Sequence, residues 1–170
     1  MCIRDRAKPE GQSASPWGEL AGVELTKAHG TGNDFVIVTD PEGNLALDAE
    51  LVAAVCDRHQ GIGADGFIRA IRSEHLAEGR SVVESHSSAE WFMDYRNSDG
   101  SLSEMCGNGV RAFVHYLSHE GLVSLEEGQS LTIGTRDGAK TVARVASGYA
   151  VDMGAWGFID GEEALSLIHI

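Results

Sequence analysis

A chain of 170 residues with 42% hydrophobic and 23% charged side chains is long enough to bury a core and too apolar to be disordered throughout. Its 26 acidic against 13 basic side chains give a formal net charge of −13, which repels phosphate backbones and anionic lipid and argues against nucleic acid and membrane surfaces as partners. No stretch approaches the roughly 20 apolar residues that cross a bilayer, and the first 18 residues lack the apolar centre of a signal peptide, so a cytoplasmic location is expected. Cys2, Cys56 and Cys106 make an odd set without close spacing, which in a reducing compartment reads as free thiols.

Residues 1–22 read as a loose, disordered or non-native leader, with two prolines and almost no apolar periodicity between 7 and 18. Met1 to Arg6 and Leu165 to Ile170 resemble translated readthrough, which would leave Cys2 and His169 without meaning. The fold is expected over 23–155, with 156–170 as the start of a crossover and a tail that is partly non-native. A strand is predicted from Val23 to Lys27, then a Gly30-Thr31-Gly32 break, then a buried strand at Phe35 to Val38. Asp48 is placed to cap a helix whose apolar stripe runs Leu51, Val52, Val55, Cys56 and His59, with Cys56 facing the core.

Further strands are predicted at 66–71 and 89–96, where Trp91, Met93 and Tyr95 alternate with Phe92, Asp94 and Arg96. A second helix starts near Asn108 or Gly109, carries Val110, Phe113, Val114 and Leu117 on one face, and ends at a left-handed Gly121. Strands at 131–135 and 141–145 flank a turn over 136–140, and 149–153 is a last short strand. The sum is seven strands and two helices, an α+β lobe.

The stretch from Tyr95 to Arg111 places Cys106 at a helix start, where unsatisfied backbone N–H groups and the positive end of the macrodipole favour a thiolate. Gly107 and Gly109 let a ligand approach the backbone, and an anionic group could sit on the same N–H groups. The competing reading makes Cys106 a small apolar filler and the glycines a plain turn into a helix. Gly61-Ile62-Gly63-Ala64-Asp65-Gly66 fits a dinucleotide fingerprint, but it follows a helix and precedes a strand, so it reads as a turn. His115 and His119 have zinc-ligand spacing without a third ligand and read as exposed helix residues, with no metal site expected.

Three segments taken together are more specific: Lys27-Ala28-His29-Gly30-Thr31-Gly32-Asn33-Asp34-Phe35, then Arg58-His59-Gln60-Gly61-Ile62-Gly63-Ala64-Asp65-Gly66, then Arg96-Asn97-Ser98-Asp99-Gly100 running into Met105-Cys106-Gly107-Asn108-Gly109-Val110-Arg111. In this order they resemble the N-terminal half of the diaminopimelate epimerase family. The resemblance implies one lobe of a two-lobed α+β fold, a curved, mostly antiparallel sheet wrapped around a central helix. It implies cofactor-independent interconversion of L,L- and meso-diaminopimelate on the route to lysine and peptidoglycan, without pyridoxal, by a two-cysteine acid/base mechanism.

Carried over by position, Cys106 matches the catalytic cysteine of this half, Gly107 and Asn108 the backbone that binds the α-carboxylate, and Asn33 and Asn97 the substrate-contacting asparagines. An uncharged amide suits a zwitterionic ligand, although ordinary turn duty is the alternative for both asparagines. Gly66 stands where some members carry a substrate-proximal glutamine. The family's second cysteine lies in the other lobe, so this fragment is expected to be inactive alone and the longer protein to be a homodimer with a small amino-acid substrate. Another cofactor-independent racemase or isomerase of the same architecture, and a non-catalytic remnant lobe, stay open at this point.

Overall fold

The computed structural model describes residues 16–154. The expectations for Cys2, for 1–15 and for 155–170 lie outside the described residues. Seven strands form one curled, half-barrel sheet in sequence order: β1 (Thr26–Gly30), β2 (Asn33–Thr39), β3 (Gly66–Arg72), β4 (Trp91–Asn97), β5 (Ser130–Thr135), β6 (Gly138–Val145) and β7 (Gly148–Val151). Pairing is antiparallel except between β2 and β3 and between β4 and β5. Those two parallel joins are where the chain leaves the sheet for α1 (Ala49–Cys56) and α3 (Gly107–His119), as a parallel connection requires a crossover.

α3 is the axis of the lobe and touches β1, β2, β3, β4, β6 and β7. Its apolar face, Val110, Phe113, Val114 and Leu117, is buried against Phe35, Ile37, Ile68, Trp91, Met93 and Ile133. A second core on the outer face packs Leu51, Val52, Val55 and Cys56 of α1 onto Val36, Val38 and Phe67. β2 is thus covered on both sides, which explains its unbroken Phe35-Val36-Ile37-Val38 run. α3 ends as predicted, with Gly121 at φ 69° and the bonds Leu122 N to Leu117 O and Gly121 N to Ser118 O closing its last turn.

Several boundaries differ from the sequence reading. β1 runs on to Gly30 because Thr31 and Gly32, at φ 52° and 89°, make a two-residue hairpin turn in place of a three-residue break. α1 stops at Cys56, so His59 is off the helix and exposed; the Asp57 carboxylate accepts from His59 N and Gln60 N and turns the chain away. The β5–β6 turn is two residues, Arg136 and Asp137, and β6 begins at Gly138. Leu20, placed in the leader by sequence, sits in a short 3-10 turn over Pro16–Leu20 and packs in the outer core at 7% exposure.

A third helix, α2 (Ala77–Ser85), was not expected. Its only buried residue is Gly79, so no apolar stripe announces it, and it lies close to Ser73 because a Cβ at Gly79 would come within 2.4 Å of Ser73 O. Asp94, on the outward row of β4, is fully buried and takes Arg69 Nε at 2.9 Å and Arg136 Nη2 at 2.5 Å. Charge alternation along that strand reflects a paired interior ion here.

Candidate active site

The site residues gather where the β1–β2 turn meets the start of α3. The first helical bond of α3 is Val110 N to Cys106 O at 2.8 Å, so the N–H groups of Gly107, Asn108 and Gly109 precede the ladder. Cys106 is the N-cap, in extended conformation and without a side-chain cap bond. Its partly buried thiol donates to Asn33 Oδ1 at 3.5 Å. Gly30 makes the approach possible: a Cβ there would lie 2.7 Å from Asn108 O. Thr31 Oγ1 donates to Asn108 Oδ1 at 2.9 Å, and Arg111 Nη2 donates to the same oxygen.

Cys106, Asn33, Gly107 and Asn108 are therefore neighbours. Asn97 is placed differently. It ends β4 opposite Gly66 of β3, and its hydrogen bonds among the described residues stay in its own turn, from Asn97 N to Ser101 O and from Asn97 Nδ2 to Ser101 Oγ at 3.0 Å. Ser101 in turn holds the Asp99 carboxyl below its ordinary value. At Gly66 a Cβ would fall 2.5 Å from Tyr95 Cε2 and 2.7 Å from Arg96 O, so the space a side chain would use is taken by the Tyr95 ring. Burial pushes the Tyr95 hydroxyl up to about 12.

Behind Asn33 lies a charged group that sequence reasoning left unassigned. Asp34 accepts both Arg58 Nη2 at 2.7 Å and Arg58 Nη1 at 3.1 Å, and pairs with Lys27 Nζ at 2.8 Å. The Arg58 guanidinium holds the Asp34 carboxyl well below the usual carboxylate range, with Lys27 and the Asp65 N–H adding to the effect against partial desolvation. Asp65 joins through Arg58 Nη2 at 2.7 Å. The available signal was charge adjacency: Lys27, Asp34, Arg58 and Asp65 each fall within one of the three quoted motif segments.

The other sulfur, Cys56, is buried in the outer core, and burial pushes its thiol up to about 11. The glycine-rich turn closes α1 instead of cradling a nucleotide: Ile62 N and Gly63 N donate to Val55 O, and Ala64 N donates to Cys56 O. His115 and His119 are exposed as read from sequence, their rings stacked with centroids 6.3 Å apart. They line a groove of about 680 Å³ between β1 and α3, together with His29, Arg111 and Tyr149. Among the described residues no His, Cys, Asp and Glu cluster could hold a metal ion, and no helix is long and apolar enough to cross a membrane.

A cysteine at the mouth of a helix, facing an amide across a glycine-lined approach, can present one acid/base sulfur and three N–H groups that are unpaired among the described residues to a small anionic ligand. A family model described as diaminopimelate epimerase matches residues 25–159. Diaminopimelate epimerase of Thermobifida fusca is 50% identical over 136 residues, covering 78% of this chain and 48% of that protein. The Streptomyces coelicolor protein of the same name is 53% identical over 120 residues, covering 71% and 39%. This chain belongs to the diaminopimelate epimerase family.

The chain spans about half the length or less of these curated relatives. A crystal structure of the Bacillus anthracis phenazine biosynthesis protein of the PhzF family has a similar fold, with TM-score 0.51 at 20% identity over 76% of this chain and 39% of that one.

Proposed function

We propose that this chain is one catalytic lobe of a diaminopimelate epimerase, an isomerase that interconverts L,L- and meso-diaminopimelate without pyridoxal. The observation that carries the reading is the position of Cys106, capping α3 between Asn33 and the Gly107-Asn108 backbone. The Cα–H bond of an amino acid is a very weak acid, and charge builds toward its carboxylate as the proton leaves. The N–H groups at Gly107 to Gly109, unpaired among the described residues, are suited to hold that carboxylate. One sulfur takes the α-proton as its S–H bond forms, and a second acid on the opposite face delivers a proton to the carbanion, which inverts the centre.

In this reading Cys106 serves one face and a thiol of a second lobe serves the other, so the 170-residue chain alone does not turn over. Asn33 and Asn97 hold polar ends of the substrate, and Asn97 must exchange its bond to Ser101 to do so. A lobe over 23–155, to which Leu20 just ahead of it adds a core contact, a cytoplasmic location and a homodimeric longer protein complete the proposal. The fold is compatible with other racemase-like chemistry, so substrate choice is the point to test.

The test uses the longer protein containing this lobe, incubated in D2O with L,L-diaminopimelate or with proline. Deuterium enters the α-position of diaminopimelate only, and Cys106→Ala lowers that rate at least about a hundredfold. Exchange into proline alone, or full exchange in Cys106→Ala, overturns the reading.

A further inference from the structure

A primary amide can turn either its oxygen or its NH2 toward a neighbour, and for Asn33 that choice decides what Cys106 meets. Asn33 Nδ2 lies 2.7 Å from Asp65 Oδ2. An ionised carboxylate has only acceptor sites, so it takes the NH2 side and leaves Oδ1 facing the Cys106 sulfur at 3.5 Å. Asp65 is itself tied down. Its Oδ2 also accepts Asp34 N at 3.1 Å, its Oδ1 accepts Arg58 Nη2 at 2.7 Å, and its own N–H donates to Asp34 Oδ1 at 3.0 Å.

These anchors sit on adjacent strands, Asp34 within β2 and Asp65 immediately before β3, in the register that pairs Phe35 with Gly66. Arg58 spans both carboxylates from beyond the end of α1.

We infer that Asp65 is a positioning residue: it locks the Asn33 amide with its oxygen toward Cys106, so that the thiol proton is held in a hydrogen bond of fixed direction. The inference rests on the reading of Cys106 as the acid/base group for its catalytic consequence, but not for its geometry. Were the amide free to flip, its NH2 would face the sulfur and stabilise the thiolate, the form that alkylating reagents attack. Asp65→Asn permits that flip, because the new amide can donate to Asn33 Oδ1.

The experiment is alkylation of the 170-residue chain by iodoacetamide at one fixed neutral pH, read separately for each cysteine by mass spectrometry. Cys56, at 3% exposure, reports folding in the same tube. In Asp65→Asn, Cys106 reacts about threefold to tenfold faster while Cys56 stays protected, the range that one net hydrogen bond is worth. In an Asn33→Ala background the same substitution adds nothing, because Asp65 acts through Asn33. An unchanged Cys106 rate with Cys56 protected overturns the inference, as do two effects that multiply independently.

If Cys56 becomes reactive in the variant, the unsubstituted chain decides by NMR. An Asn33 Nδ2 proton shifted downfield and slow to exchange with solvent supports the lock, and two Nδ2 protons at free-amide shifts with fast solvent exchange overturn it. Failure of the lock with diaminopimelate exchange intact sinks this inference alone. Absent exchange in the longer protein sinks the function reading and leaves the alkylation result standing.

Discussion

Cys106 occupies a position where its side chain is a poor structural choice. N-caps favour Ser, Thr, Asp and Asn because their oxygens accept an N–H of the first turn, and Cys106 makes no such bond. Cys106→Ser is therefore expected to raise the unfolding free energy by about 0.5–1 kcal/mol while proton exchange into diaminopimelate by the longer protein falls at least about a hundredfold. Urea denaturation and the deuterium assay check the two halves. A loss of stability would mean that the sulfur is held for packing. Gly30 makes the same point without a reactive atom, since its missing side chain is what lets the hairpin reach the Asn108 backbone.

At the scale of elements, α1 and α3 are built for different ends. α1 carries a conventional cap, with Asp48 Oδ1 accepting Leu51 N at 2.8 Å, and its last carbonyls are met by Ile62, Gly63 and Ala64. Among the described residues, α3 leaves its N-terminal donors open. Asp48→Ala is expected to cost about 1 kcal/mol in urea denaturation and to leave Cys106 alkylation unchanged, because α1 packs on the outer face of the sheet.

Both helices were legible in the sequence from apolar spacing. α2 was not, because its buried contact is made through Gly79 and its adjacent Val82 and Val83 are only partly covered and form no helical stripe. The end of α1 was misplaced by one turn because His59 fell on the apolar period, while the Asx turn at Asp57 that stops the helix is a local polar signal.

For the whole lobe, the Asp34 group joins β1 through Lys27, the segment after α1 through Arg58, and the entry to β3 through Asp65. The Asp34 carboxyl is lower in the folded chain than in the unfolded one, chiefly through Arg58, so its contribution is present above the unfolded value of about 3.9. It is lost progressively as pH falls from that value toward the much lower folded one. Replacing Arg58 by Leu is expected to lower the urea midpoint clearly at pH 7 and less near about pH 3, where Asp34 is already largely protonated in the unfolded chain. An equal loss at both pH values would show that Arg58 acts by packing alone.

What the sequence determined by itself was local or periodic. The buried β2 run, the α3 face and the Gly121 stop follow from spacing and residue type, and the three motif segments around Asn33, Asp65 and Cys106 carry the resemblance to the family. Only the tertiary structure decided which partners those residues meet. Asp65 looked like part of a glycine-rich turn until the β2–β3 register put its carboxylate against Asn33, and Asn97 looked equivalent to Asn33 until its amide was found bonded to Ser101. The physical reason is that periodicity records which face a side chain presents, whereas a hydrogen bond across 32 or 73 residues depends on strand register and on the close approach that Gly30 allows.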